Sequence, residues 1–299
     1  MTPSADHAIA ETLALARSLL GERELSVSVI ADRSNLVLRL DPHRTVARVA
    51  MATSLVRIGM TWLAREVELA RFLSARAVNV TRPSLRVDPG PHERGGLIIS
   101  FWELESTVGA GAPPSPHEAG AALGAIHSAL ASYPKDRLPE WGGYEEARQI
   151  MGRVTGGSVM TEREVHRLLR AFDRADAVVA GARSRSASFQ AVHGDAHIGN
   201  VLATTDRGAV WTDFEDAFIG PIEYDLACLR SRADLFGEYR EIIDAMTNAY
   251  DSPYDRELVD KLGLVRNVQV IPWLAVFAER HPELLPRMRA RIERLPEIQ

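Results

Sequence analysis

The chain has 299 residues, 46% of them hydrophobic and 25% charged, with a formal net charge of −5. That length is ample for a buried core, and the charge balance excludes a general nucleic-acid binder or a protein held to anionic membrane by basic residues. The single cysteine, Cys228, excludes disulfides within the chain and fits a reducing cytoplasm.

The opening MTPSADHAIAE lacks a basic segment followed by an apolar block, so no secretory leader is expected. Residues 6–20 repeat their apolar side chains at helical spacing and end at Gly21. Three β-rich pieces follow, LSVSVI (25–30), NLVLRL (35–40) and TVARVAM (45–51), joined by the turn-like ADRS and DPHR. Residues 61–75 read as an amphipathic helix with Thr61 as its N-cap. LIISF (97–101) reads as a further strand. The Gly/Pro/Ser-rich TVGAGAPPSP then marks a boundary near residues 102–115.

Ser115 and Glu118 form a capping box with Pro116 at the first helical position, and Thr161 and Glu164 form a second one. Residues 237–294 read as mostly helical, broken at Pro253, Pro272, Pro282 and Pro286. The outline is α+β: a small β-rich N-lobe over 1–102, a hinge and linker over 103–115, and a larger, mainly helical C-lobe over 116–299. Charge is shared unevenly. Residues 1–105 carry 13 Arg against 12 Asp and Glu, whereas residues 106–299 carry 22 Lys and Arg against 28. An acidic second part favours a cationic small molecule as partner, although a solvated acidic surface has the same composition.

The densest chemistry lies in AVHGDAHIGNVLATTDRGAVWTDFEDAFIGPIEYDLACL, residues 191–229. FQAV (189–192) and NVLA (200–203) read as short strands flanking the loop HGDAHIG, and AVWTD (209–213) as a third. Asp195 and Asp213 thus stand at strand edges on either side of a hairpin-sized connection. Two nearby carboxylates repel unless a cation lies close or one is protonated. A hard cation such as Mg²⁺ takes oxygen ligands, typically one or two carboxylates with substrate phosphates and water, and Asn200 adds an amide oxygen. A base for a hydroxyl together with oxygen ligands for metal-bound phosphates is what phosphoryl transfer requires.

His193-Gly194-Asp195, then Asn200 five residues after the aspartate, then Asp213 after a strand, resembles the catalytic signature of the aminoglycoside phosphotransferase family. This family is related to choline kinases and, more distantly, to protein kinases. Other parts resemble it in order: TVARVAM looks like the strand of the phosphate-binding lysine, AREVELARFL like the helix of its glutamate partner, LIISFWELES like the adenine hinge, and GPIEYDLACL like the helix after the metal aspartate.

The resemblance implies a bilobal protein-kinase-like fold. It also implies transfer of the ATP γ-phosphoryl group, with GTP as an alternative donor, to a hydroxyl of an aminoglycoside-, choline- or sugar-like small molecule. Asp195 would orient and deprotonate that hydroxyl, and Asn200 and Asp213 would hold Mg²⁺. Arg48, paired with Glu66, would meet the phosphates. Backbone groups near Glu103 and Leu104 would meet adenine. His193 would brace the loop, and Asp225 would accept bonds from its backbone.

Two departures stand out. The third strand offers Arg48 where the family usually has lysine, and the chain's two lysines, Lys135 and Lys261, lie elsewhere. IADRSN has no glycine where kinases often carry a Gly-rich loop, which leaves Ser34 to cover the phosphates.

Taken singly, Asp195, Asn200 and Asp213 are ordinary turn residues. Arg48 and Glu66 are ordinary on exposed faces, and Phe101 and Trp102 on core ones. His197 reads as a loop residue, and Glu215 and Asp216 as supporting or solvated ones. Two alternatives use the same residues. One is a nucleotide-binding regulatory pseudokinase without transfer activity. The other is a metal-dependent hydrolase using His193, Asp195 and His197. Nucleic acid and membrane are not expected partners, and the expected location is the cytoplasm.

Overall fold

The computed structural model describes residues 3–296 apart from 33–34, 52–55, 58, 110–111, 155–158, 187 and 280, so the expectation for Ser34 lies outside the described residues. The chain forms two units, one of Met1–Ala110 with Thr204–Arg207, the other of Gly111–Ala203 with Gly208–Gln299. The segment 204–207 joins the first unit, which the sequence does not foresee.

In the first unit, helix α1 (Ala5–Leu20) starts under the Ser4 side chain and stops at Gly21 in the left-handed conformation. Strands β1 (Ser26–Asp32), β2 (Asn35–Asp41), β3 (Thr45–Ala50), β4 (His92–Arg94) and β5 (Leu97–Glu103) form an antiparallel sheet in the order β1-β2-β3-β5-β4. Leu36, Leu38, Leu40, Ala47, Val49, Ile99 and Phe101 share one buried cluster with Ala8, Leu15 and Ala16 of α1. The alternate residues of β3 turn to the other face. There Ala50 packs with Trp62 and Leu63, and Val46 with Val67 and Ala70, all from α2 (Thr61–Ser74). The two-residue period therefore sets Arg48, between Val46 and Ala50, on the α2 face. Thr61 does not cap α2; Met60 occupies that position, with no side-chain cap.

In the second unit, α3 (Pro116–Leu130) begins at Ser115, whose hydroxyl accepts from Glu118 N at 3.3 Å. The reciprocal half of the expected capping box is not made, because Glu118 Oε2 accepts from Ala209 N instead. Next come α4 (Gly142–Val154) and α5 (Glu162–Arg185), the latter with the complete Thr161/Glu164 box. Strand β6 (Phe189–Val192) pairs with β9 (Phe218–Pro221), and β7 (Val201–Thr204) with β8 (Gly208–Trp211).

Helices α6 (Glu223–Phe236), α7 (Arg240–Ala249), α8 (Arg256–Ala278) and α9 (Leu285–Glu293) complete the unit. Helix α8 packs against α4, α5, α6 and α9. Beyond its exposed first turns it is buried on most of its circumference, which is why it carries no single apolar stripe. Pro272 lies inside α8 and does not break it, against the expectation from its position in the sequence. Among the described residues, no helix is long and apolar enough to cross a membrane.

Candidate active site

The loop after β6 is fastened to the first turn of α6. Asp225 is fully buried and accepts from His193 N (2.7 Å) and Gly194 N (2.9 Å). Its Oδ2 also lies 2.8 Å from His127 Nε2, and His127 Nδ1 lies 2.7 Å from the Tyr250 hydroxyl. Burial alone would raise the Asp225 pKa. The hydrogen bonds from His127 and the His193 N–H outweigh it and hold the group below the usual carboxylate range.

His193 is buried between Phe214 and Trp211, with ring centroids 4.5 and 5.4 Å away. Its Nε2 donates to Thr212 O (3.0 Å) and its Nδ1 accepts from Asp195 N (3.3 Å), so both ring nitrogens serve the backbone. Gly194 adopts φ +82°, and a Cβ there would overlap the Asp216 carbonyl, so only glycine fits this crossing.

These bonds present Asp195. Its Oδ1 is ion-paired with Arg266 Nη2 of α8. Its Oδ2 lies 3.4 Å from His197 Nε2 and 3.4 Å from Asn200 Nδ2, which also donates to the Asp195 carbonyl at 3.0 Å. Burial pushes the Asp195 pKa up, but Arg266, then His197 and His193, draw it far below the ordinary range. The group is therefore a fixed carboxylate. Burial works against the Arg266 charge too, yet Asp195 and its neighbours keep it firmly protonated.

Asn200 ends a 3-10 turn, and its carbonyl accepts from Thr212 N at 3.0 Å, which closes the connection between the two halves of the motif. With Asn200 Nδ2 committed to Asp195, its Oδ1 is the end left for a ligand. Asp213 stands at φ 71°, ψ 59°, the left-handed region that costs a non-glycine residue about 1–2 kcal/mol. An amide oxygen and a carboxylate held at adjoining turns suit a hard cation that draws its remaining ligands from phosphate and water. Among the described residues no group of three His, Cys, Asp or Glu forms a metal cage. His193, with both nitrogens on the backbone, is unavailable to the hydrolase trio.

In the first unit, Arg48 Nη1 lies 2.5 Å from Glu66 Oε1, both side chains buried. The N–H of Glu103 donates to Arg82 O (2.8 Å) and that of Leu104 to Arg44 O (2.9 Å). Those two donors thus serve the unit's own backbone. Phe101 is core, as expected.

Sequence reasoning passes over Arg266, His127 and Tyr250. Arg266 had a signal: a charged residue beside Asn267 and Gln269 within the apolar LGLVRNVQVIPWLAVF. His127 and Tyr250 had none, because nothing local marks which distant aspartate they meet.

The phosphotransferase enzyme family model (APH) matches residues 21–260. No curated protein matches the chain. Among solved structures, the chain is similar to the amicoumacin kinase hAmiN in complex with AMP-PNP, Ca²⁺ and Ami (16% identity, 98% of this chain and 97% of that one, TM-score 0.68). It is similar to a microcompartment-associated aminopropanol kinase (14% identity, 94% and 95%, TM-score 0.70). It is also similar to the GDP and kanamycin complex of APH(2")-IIia (14% identity, 94% and 97%, TM-score 0.64). The α+β architecture is thus the protein-kinase-like one that the motif order implied. With the model match spanning most of its length, the chain belongs to the phosphotransferase enzyme family.

Proposed function

We propose that this protein transfers the γ-phosphoryl group of ATP to a hydroxyl of a small molecule, in the cytoplasm and with Mg²⁺. The observation that carries the reading is the Asp195 carboxylate, ion-paired with Arg266 at the tip of a loop whose backbone is locked by Asp225. Asp195 takes the acceptor's hydroxyl hydrogen and aims its oxygen. As that oxygen bonds to the γ-phosphorus and the bond to the ADP oxygen breaks, the proton passes to Asp195. The transition state is loose, so positioning and charge neutralisation contribute most of the rate.

Asn200 and Asp213 would hold the Mg²⁺, which supplies charge neutralisation on the nucleotide phosphates when bound. Arg48, ion-paired with Glu66, would meet those phosphates with a wider fork than lysine offers. Related structures hold both an adenine nucleotide analogue and GDP, so GTP is the second donor to test.

The test is Asp195→Ala assayed by ADP release against a panel of hydroxyl compounds. Turnover should fall by at least ~10²-fold with Mg·ATP affinity retained. Near-normal turnover would remove Asp195 from the role. A nucleotide-binding protein without transfer is the second reading, favoured by Arg48 in the lysine position. It predicts nucleotide binding and no Asp195-dependent ADP release with any acceptor or donor.

A further inference from the structure

The polar residues of α8 sit in its buried middle. Arg266, Asn267 and Gln269 are 9%, 3% and 2% exposed. A buried guanidinium persists only against a strong partner. Among the described residues Arg266 has one such partner, Asp195, reached through Nη2, and the Tyr224 hydroxyl lies against the same guanidinium. Arginine presents five donors in a planar fork, and this pairing engages one edge.

A second guanidinium lies nearby. Arg291 of α9 is 6% exposed and has no carboxylate partner among the described residues. Its Nη1 donates to Asn267 Oδ1 (3.0 Å) and Ser231 Oγ (3.3 Å), and its Nε is buried with no partner. Burial, with repulsion from Arg266, Arg287 and Arg232, brings its pKa down to about 9. One carboxylate, Glu238, serves Arg232 and Arg287 together. Arg291 is thus within reach of three other guanidinium groups, Arg266, Arg287 and Arg232, and these four groups face the carboxylates Asp195 and Glu238 in ion pairs, with Asp216 acting on Arg266 from farther off. This corner of the second unit is short of negative charge. Gln269 Oε1, one turn along α8 from Arg266, is likewise buried with no partner.

We propose that the acceptor is an anionic hydroxyl compound whose carboxylate or phosphate group is received by Arg266, backed by Arg291, beside Asp195; this rests on the phosphoryl-transfer reading above. Such a group offers Arg266 a second ligand and loosens its hold on Asp195 Oδ1, which then takes the hydroxyl hydrogen. The acidic composition of residues 106–299 argues for a cation instead. Those charges act through water, where screening sets in over ~8 Å at physiological salt, whereas Arg266 touches the base itself. The contact decides.

The experiment has two arms on the full-length protein. Binding is followed by calorimetry and thermal shift, with and without AMP-PNP. The probes are hydroxy acids and sugar acids (glycerate, 4-hydroxybutyrate, gluconate), a phosphate ester (glycerol 3-phosphate), amino alcohols (choline, 1-amino-2-propanol), and glycerol and glucose as neutral controls. Transfer to the same compounds is followed by ADP release. The expectation is that one of the anionic sets binds in preference to the amines. Arg266→Gln should raise the Kd and KM of the anionic compound at least tenfold without changing those of Mg·ATP, and Arg266→Lys should recover part of the loss. The acids and the phosphate ester together distinguish a carboxylate from a phosphate requirement.

Preference for amines or neutral compounds, or no binding by any anionic member, overturns the inference. So does an Arg266→Gln protein that is folded by circular dichroism and keeps the wild-type ranking. Binding of acids without Asp195-dependent ADP release leaves the anion site standing and overturns the transfer reading alone.

Discussion

Replacing Asp225 tests how the loop before Asp195 is held. The carboxylate accepts two backbone N–H groups, from His193 and Gly194, and meets the His127 ring at 2.8 Å. None of these donors has solvent to turn to, since Asp225 is fully buried and His127 and His193 nearly so. A buried polar group left without its partner costs about 1–3 kcal/mol. Three such groups put the loss for Asp225→Ala at about 3–9 kcal/mol. Asp225→Asn keeps the volume and one acceptor oxygen but turns an amide N–H toward a donor, so its loss should be about half as large.

Equilibrium urea unfolding of the two variants beside wild type reads both values. The pH dependence has a fixed sign. The folded pKa of Asp225 is lowered, so its contribution is complete above the unfolded carboxylate range and disappears as pH falls through the folded value. The gap between wild type and Asp225→Ala should therefore be flat from about pH 5 to 8 and close only in acid. A loss under about 1 kcal/mol for Asp225→Ala, or a gap that widens in acid, would refute the locking role of this carboxylate.

Gly194→Ala places a Cβ on the Asp216 carbonyl at a positive φ, so it should lower stability by at least about 2 kcal/mol in urea unfolding and abolish ADP release. Glu66→Ala removes the carboxylate of a buried ion pair and should cost about 3–5 kcal/mol, whereas replacing the pair together by Met and Leu should recover most of that loss in the same assay. Asp213→Gly removes left-handed strain of about the same size as the entropy glycine adds, so stability should stay within about 0.5 kcal/mol. The same change should weaken Mg·ATP binding roughly tenfold or more by calorimetry. Half-buried Glu238, drawn down to about 2 mainly by Arg287, should be seen by NMR to titrate well below 4 in wild type and to return toward the ordinary range in Arg287→Gln.

The sequence makes the second half of the site readable because its chemistry is local. His193, Asp195, Asn200 and Asp213 fall within 21 residues, joined by a hairpin whose strands alternate visibly. The Arg48–Glu66 contact is readable for another reason: the period of β3 and the period of α2 each select one face. What stays hidden depends on partners far along the chain. Arg266 is 71 residues from Asp195, and Tyr250 is 123 from His127, with no pattern to link them. Pro272 misleads because a breaker's local penalty can be overridden where the helix around it is deeply packed, as it is from Ile271 to Trp273. Thr61 misleads because the helix already begins at it; it would cap only if the helix began one residue later, at Trp62.

The placement of Arg266 ties choice of substrate to the integrity of the scaffold. Helix α8 is gripped by α4, α5, α6 and α9, so a residue that reads the acceptor is also a strut of the unit. A lineage cannot drift to a new acceptor by exchanging this side chain alone, because the vacated charge or volume would be felt by Asp195 and Tyr224. Relatives with different substrates should therefore differ here in sets of compensating residues, and engineering a new preference should begin with pairs spanning α8 and α9.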